Sequence, residues 1–165
     1  MVRELHDLVT SLLDADGTCR DVNFEGPTWQ GVADLVDLLR ISFGTCSASD
    51  PDGQFLAEPL RNSVPETAAR CNGYVHVDLR EGKDLFAQIQ LWVGVEADES
   101  PFVEITFWPE DVARTATLRD DFLSWADRLR GTAQARRYYA RYENASWRFG
   151  DTSRHSGVFL VGEEA

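Results

Sequence analysis

The chain has 165 residues, 43% of them hydrophobic and 11% aromatic, which is the length of one α+β domain with enough apolar area to fold without a metal or disulfide staple. Its 16 basic and 28 acidic side chains leave a net charge of -12, and that field repels phosphate backbones and anionic lipid. Nucleic acid and membrane surfaces are thereby excluded as expected partners, and a single domain over residues 1–165 is expected.

Residues 2–13 space Val2, Leu5, Leu8, Val9, Leu12 and Leu13 by threes and fours, the pattern of an amphipathic helix that Asp14-Ala15-Asp16-Gly17 would end. Charged Glu4, His6 and Asp7 sit where a secretory leader would be continuously apolar, so a cytoplasmic location is expected. Pro27-Thr28 opens a second helix over 28–41, with Trp29, Val32, Val36 and Leu39 on one stripe and Asp34 and Asp37 opposite. From Gly44 to Asn72 the periodicity dissolves into turn residues and three prolines, predicting a long irregular excursion with one short strand near 54–57.

Residues 73–108 contain three runs that alternate with period two, separated by 80–84 and 97–101, and so predict an antiparallel β-meander. Pairing Leu79 with Leu85 and Val95 with Val103 puts valines, leucines and isoleucines on one face. The other face then carries Tyr74, His76, Asp78, Phe86, Gln88, Gln90, Trp92, Glu104, Thr106 and Trp108, with Gln88 opposite His76 and Gln90 in a row between Tyr74 and Trp108. The apolar face requires helices over it. Thr117 to Asp120 has capping-box spacing before a third helix over 118–130, closed by Gly131. Residues 138–142, 147–149 and 158–161 read as C-terminal strands, with helix as the alternative for 135–141.

Charge is uneven: residues 1–111 hold 7 basic and 21 acidic side chains, whereas 112–165 hold 9 and 7. Arg128, Arg130, Arg136, Arg137, Arg141, Arg148 and Arg154 form a basic island among Tyr138, Tyr139, Tyr142, Trp147 and Phe149. Such a mixture can grip an anionic ligand; equally, the arginines can pair with the chain's own carboxylates or with a second copy in a homodimer. Asp14-x-Asp16-Gly17 and Asp50-x-Asp52-Gly53 resemble fragments of a calcium loop, but positions one and twelve lack carboxylates, so they read as a helix stop and a turn. Cys19, Cys46 and Cys71 have no metal-ligand spacing. His155-Ser156 has no visible carboxylate partner for nucleophile chemistry. No phosphate loop, dinucleotide motif, nucleophile elbow or zinc-protease motif occurs, so no cofactor, metal or catalytic residue is expected.

These features predict a non-catalytic acidic protein that binds a basic protein partner, the attributes of a bacterial immunity or inhibitor protein that covers a cationic toxin such as a nuclease. Expected contact residues are Asp34, Asp37, Asp50, Asp52, Asp98 and Glu99, with Trp92 and Trp108 as aromatic anchors. The alternative is a small enzyme or anionic-ligand domain built on Tyr74, His76, Asp78, Gln88 and Glu104, with Arg137 and Arg141 gripping the anion.

Overall fold

The computed structural model describes residues 1–143 and 157–164. Its elements are β1 (Val2–Glu4), α1 (Leu8–Leu13), β2 (Arg20–Glu25), α2 (Trp29–Ser42), β3 (Phe43–Ser49), α3 (Leu60–Arg70), β4 (Val75–Gly82), β5 (Gln88–Val95), β6 (Pro101–Phe107), α4 (Leu118–Thr132), β7 (Arg137–Tyr142) and β8 (Val158–Glu163). The eight strands form one antiparallel sheet in the order β1-β8-β7-β2-β6-β5-β4-β3. With four helices, this is the expected α+β class.

The meander's alternation carries through: Val75, Val77, Leu79, Ile89, Leu91, Val93, Val103, Ile105 and Phe107 are all buried on one face. Val32, Leu35, Val36 and Leu39 of α2, Leu60, Val64 and Ala68 of α3, and Leu118, Phe122, Ala126 and Leu129 of α4 join the same core. Helical stripes at period 3.6 thus seal a strand face at period two. Thr28 caps α2 by accepting the Gly31 amide at 3.0 Å.

Five expectations need correction. The register slides while its parity holds: Leu79 lies opposite Ile89 instead of Leu85, and Val95 opposite Pro101 instead of Val103. The first turn is displaced along the chain: β4 runs on to Gly82, whose amide donates to the Ala87 carbonyl at 3.0 Å. His76 therefore faces Trp92, Gln88 faces Arg80, and Gln90 sits between Asp78 and Thr106 instead of between rings. Phe86, in the displaced turn, is drawn into the core against Phe107 and Trp125, away from the polar face.

The 2–13 helix divides. Val2–Glu4 becomes an edge strand on β8, and the helix begins only at Leu8, where Asp7 caps it through the Thr10 amide at 2.8 Å. The 44–72 excursion is ordered as β3 and α3. Residues 135–141 resolve in favour of strand β7. Finally, Thr117 makes no side-chain cap; its hydroxyl donates to Asp121 at 2.7 Å. The expected run 147–149, with Arg148, Arg154, Asp151 and His155-Ser156, lies outside the described residues.

Asp14 and Asp16 do end α1, and Gly17 turns the chain at φ +82°; Asp50 accepts the Asp52 and Gln54 amides in a turn completed by Gly53 at φ +81°.

Candidate functional site

All four helices pack on one face of the sheet, and among the described residues no helix covers the other. Register pairs share a face, so rows of side chains can be traced across that second face. One row runs Phe55, Ser49, His76, Trp92, Glu104, Asn23, Tyr139. The next runs Ser47, Asp78, Gln90, Thr106, Asp21, Arg141. Aromatic side chains lie toward β4 and β5, and charged ones toward β2 and β7.

Two adjoining hollows occupy the middle of this face. The first, about 380 Å³, is lined by Asn23, Tyr74, Trp92, Phe102, Glu104 and Arg141. The second, about 290 Å³, shares Trp92, Glu104 and Arg141 and adds Asp21, Trp108 and Glu143. Tyr74 reaches over the face because residue 94 is glycine. A Cβ there would stand 2.6 Å from the Tyr74 ring, which packs on Phe102 with centroids 5.4 Å apart. Trp92 is held by His76, ring centroids 4.3 Å apart.

The polar wall is a network. Arg141 donates to Asn23 Oδ1 through Nε at 2.9 Å and pairs through Nη2 with Asp21 at 3.0 Å and Glu104 at 3.3 Å. Asn23 in turn donates to Glu104, and Thr106 donates to Asp21 at 2.8 Å. Burial, reinforced by the negative charge of Glu104, pushes the Asp21 carboxyl up to about 6, against the pull of Arg141. Burial also lowers His76, which Asp78 opposes, and among the described residues its buried Nε2 has no hydrogen-bond partner. Burial pushes the Cys19 thiol up as well.

The remaining sequence-nominated residues are dispersed. Asp34 and Asp37 on α2 both engage Arg61 of α3, at 2.6 and 2.9 Å. Asp50 and Asp52 lie in the turn after β3, and Asp98 and Glu99 at the β5–β6 tip. The hairpin register puts both segments at the same end of the sheet, beside a hollow of about 670 Å³ that Glu99 lines with Trp29 and Arg70. Asp98 accepts the Ser100 amide at 3.1 Å. Asp78 takes Arg80 at 2.7 Å and Gln88 at 3.4 Å, at the border of the open face. Arg137 pairs with Glu25 and Glu163, and Arg136 and Arg130 with Glu25 and Asp127, so these arginines meet the chain's own carboxylates.

Sequence reasoning misses Asp21 and Asn23 because they lie in 18–26, a polar stretch without visible period. On β2 they alternate with Val22 and Phe24, and that alternation is the available signal.

The fold, eight antiparallel strands with helices on one face, is similar to that of a solved structure. It matches one chain of the crystal structure of the toxic C-terminal tip of CdiA from Pseudomonas aeruginosa in complex with immune protein, with a TM-score of 0.55 and 14% identity over 78% of this chain and 88% of that one. No family model matches the sequence, and no curated protein matches it. Among the described residues no helix is long and apolar enough to cross a membrane.

Proposed function

We propose that this chain is the immune member of a toxin–immunity pair: a cytoplasmic bacterial protein that binds a basic toxin domain, such as a nuclease, and blocks it without catalysis of its own. The observation that carries this reading is the fold shared with a chain of a toxin–immune protein complex. Charge supports the immune role over the toxic one, because a net charge of -12 repels nucleic acid and attracts a cationic domain. The second sheet face supports binding over anion chemistry: Arg141 and Arg137 pair with Asp21, Glu104, Glu25 and Glu163, so among the described residues an anionic ligand there would meet more carboxylate than guanidinium.

The test is co-expression with the toxin domain encoded beside the gene. Growth protection and a one-to-one complex on size-exclusion chromatography are expected, with affinity falling between about 0.05 M and about 0.5 M NaCl as screening removes the long-range attraction. Absence of both protection and complex overturns the reading.

A further inference from the structure

Most of the exposed carboxylates nominated by the sequence are occupied within the chain. Asp34 and Asp37 hold Arg61, and Asp50 and Asp98 hold the amides of their own turns. The hollows on the sheet face that no described helix covers differ in chemistry. There, among the described residues, Asp21, Glu104 and Glu143 surround one cation, Arg141, leaving a surplus of negative charge. Glu104 uses Oε2 for both Asn23 and Arg141, and among the described residues its Oε1 has no hydrogen-bond partner. Beside this carboxylate stands the Trp92 ring, its cross-strand neighbour. Tyr74, 51% exposed, and Phe102 flank one end, and Trp108 flanks the other.

A carboxylate beside an indole suits a guanidinium or ammonium group: the ring face attracts the cation and excludes water, and the carboxylate supplies its charge-assisted hydrogen bond. Arg141 is itself a guanidinium held by these carboxylates, which shows that the wall accommodates that geometry. Phe55, 81% exposed in the same cross-strand row, extends an apolar contact to the β3 edge. Rings at the centre of a patch, with charge around them, are the composition of interfaces that hold their partners long.

Resting on the immune reading above, we propose that the toxin domain docks on this open face and inserts an arginine or lysine side chain into the hollow between Trp92 and Glu104. The docked cation lies against the indole and takes the Glu104 Oε1 that Asn23 and Arg141 leave unused.

The experiment measures the dissociation constant of the toxin–immune complex, and growth protection, for single variants. Trp92→Ala and Glu104→Gln are expected to weaken binding about 30-fold or more, as central anchors do. Trp92 packs on His76, so Tyr74→Ser and Glu143→Gln, at exposed positions, serve as variants that leave the core untouched; each is expected to weaken binding about fivefold. Asp34→Asn, on α2 behind the sheet, is expected to stay within about twofold. If all four groove variants bind within about twofold of the parent while protection persists, the docking surface is wrong and the immune reading stands. If Trp92→Ala weakens binding but Glu104→Gln and Glu143→Gln do not, the inserted cation is wrong. If the parent protein neither binds nor protects, the immune reading fails, and the surface falls with it.

Discussion

The Asp21 carboxylate and the Arg141 guanidinium meet at 3.0 Å with the carboxylate almost wholly out of water, yet the Asp21 carboxyl is raised from 3.8 to about 6. Desolvation and the nearby Glu104 outweigh one cation. A carboxyl raised in the folded state contributes stability that is full below its unfolded value and lost as pH rises through about 6. The protein should therefore lose about 2 kcal/mol relative to Asp21→Asn between about pH 4.5 and about pH 7.5. Urea unfolding of both proteins at the two pH values measures it. A stability difference that does not change with pH would refute the raised carboxyl.

Arg20 is a buried cation of the opposite kind, on the helix side of β2, with every arm used. Its Nε donates to the Ser11 carbonyl at 2.6 Å, Nη2 to the Asp14 carbonyl at 2.7 Å, and Nη1 to the Thr18 carbonyl at 2.9 Å and to Asp16 at 3.2 Å. Its plane covers the Tyr142 ring at 4.3 Å. One planar fork thus ties the end of α1 to β2 and β7. Lysine carries its three donors on one nitrogen and cannot span the separated acceptors that the planar fork reaches. Arg20→Lys is expected to cost about 3 kcal/mol, read as a drop in Tm by calorimetry. A loss below about 1 kcal/mol would show that the fork is dispensable.

Much of this architecture is visible in the residue pattern, and physical reasons separate what is visible from the rest. The stripes of α2 and α4 and the alternation of β4, β5 and β6 are strong because each buries one face against a deep core. The register offset is not legible: parity is dictated by burial, whereas the offset depends on turn length, and Leu85 and Phe86 in the first turn are apolar enough to pass for strand. β3, Phe-Gly-Thr-Cys-Ser-Ala-Ser, is an edge strand with only Ala48 buried, so it carries almost no alternation. α3 contains Pro65, yet Leu60, Val64 and Ala68 recur every fourth residue, a stripe that the abundance of prolines conceals. Of the open face, Trp92, Glu104 and Arg141 are legible as candidates. Their neighbours Asp21 and Asn23 are not, since β2 joins β6 only through a long-range pairing.

Gly31 and Gly131 offer opposite outcomes from the same substitution. A Cβ on Gly31, in the first turn of α2, would stand 2.1 Å from the Ala133 carbonyl oxygen at the end of α4, whereas a Cβ on Gly131 meets nothing within 4 Å. Gly31→Ala must push the start of α2 away from the end of α4, although the Thr28 amide also joins them by donating to the Ala133 carbonyl at 3.2 Å, and should cost about 2 kcal/mol or more. Gly131→Ala should stabilise by about 0.5 kcal/mol through helix propensity and reduced unfolded-state freedom. Chemical unfolding of the two variants side by side checks both signs; equal effects would refute the packing argument.

Tyr138 presents the sharpest local conflict in the core. Its ring fits against β8 only because residue 162 is glycine, where a Cβ would fall 2.0 Å from the ring. Among the described residues its buried hydroxyl has no hydrogen-bond partner, and burial, with the charge of Asp127, pushes its ionisation up to about 12. An orphaned hydroxyl costs its desolvation with no bond in return, so Tyr138→Phe should stabilise the protein by about 1 kcal/mol while leaving the ring packing unchanged. Gly162→Ala should do the reverse, displacing the ring and destabilising by about 3 kcal/mol. In the double variant the gain from Tyr138→Phe should vanish, because a displaced ring carries its hydroxyl to a new environment and the two sites no longer act independently. A double-mutant cycle by urea unfolding reads this coupling directly. Strict additivity, or a Tyr138→Phe variant less stable than the parent, would mean that the hydroxyl has a partner.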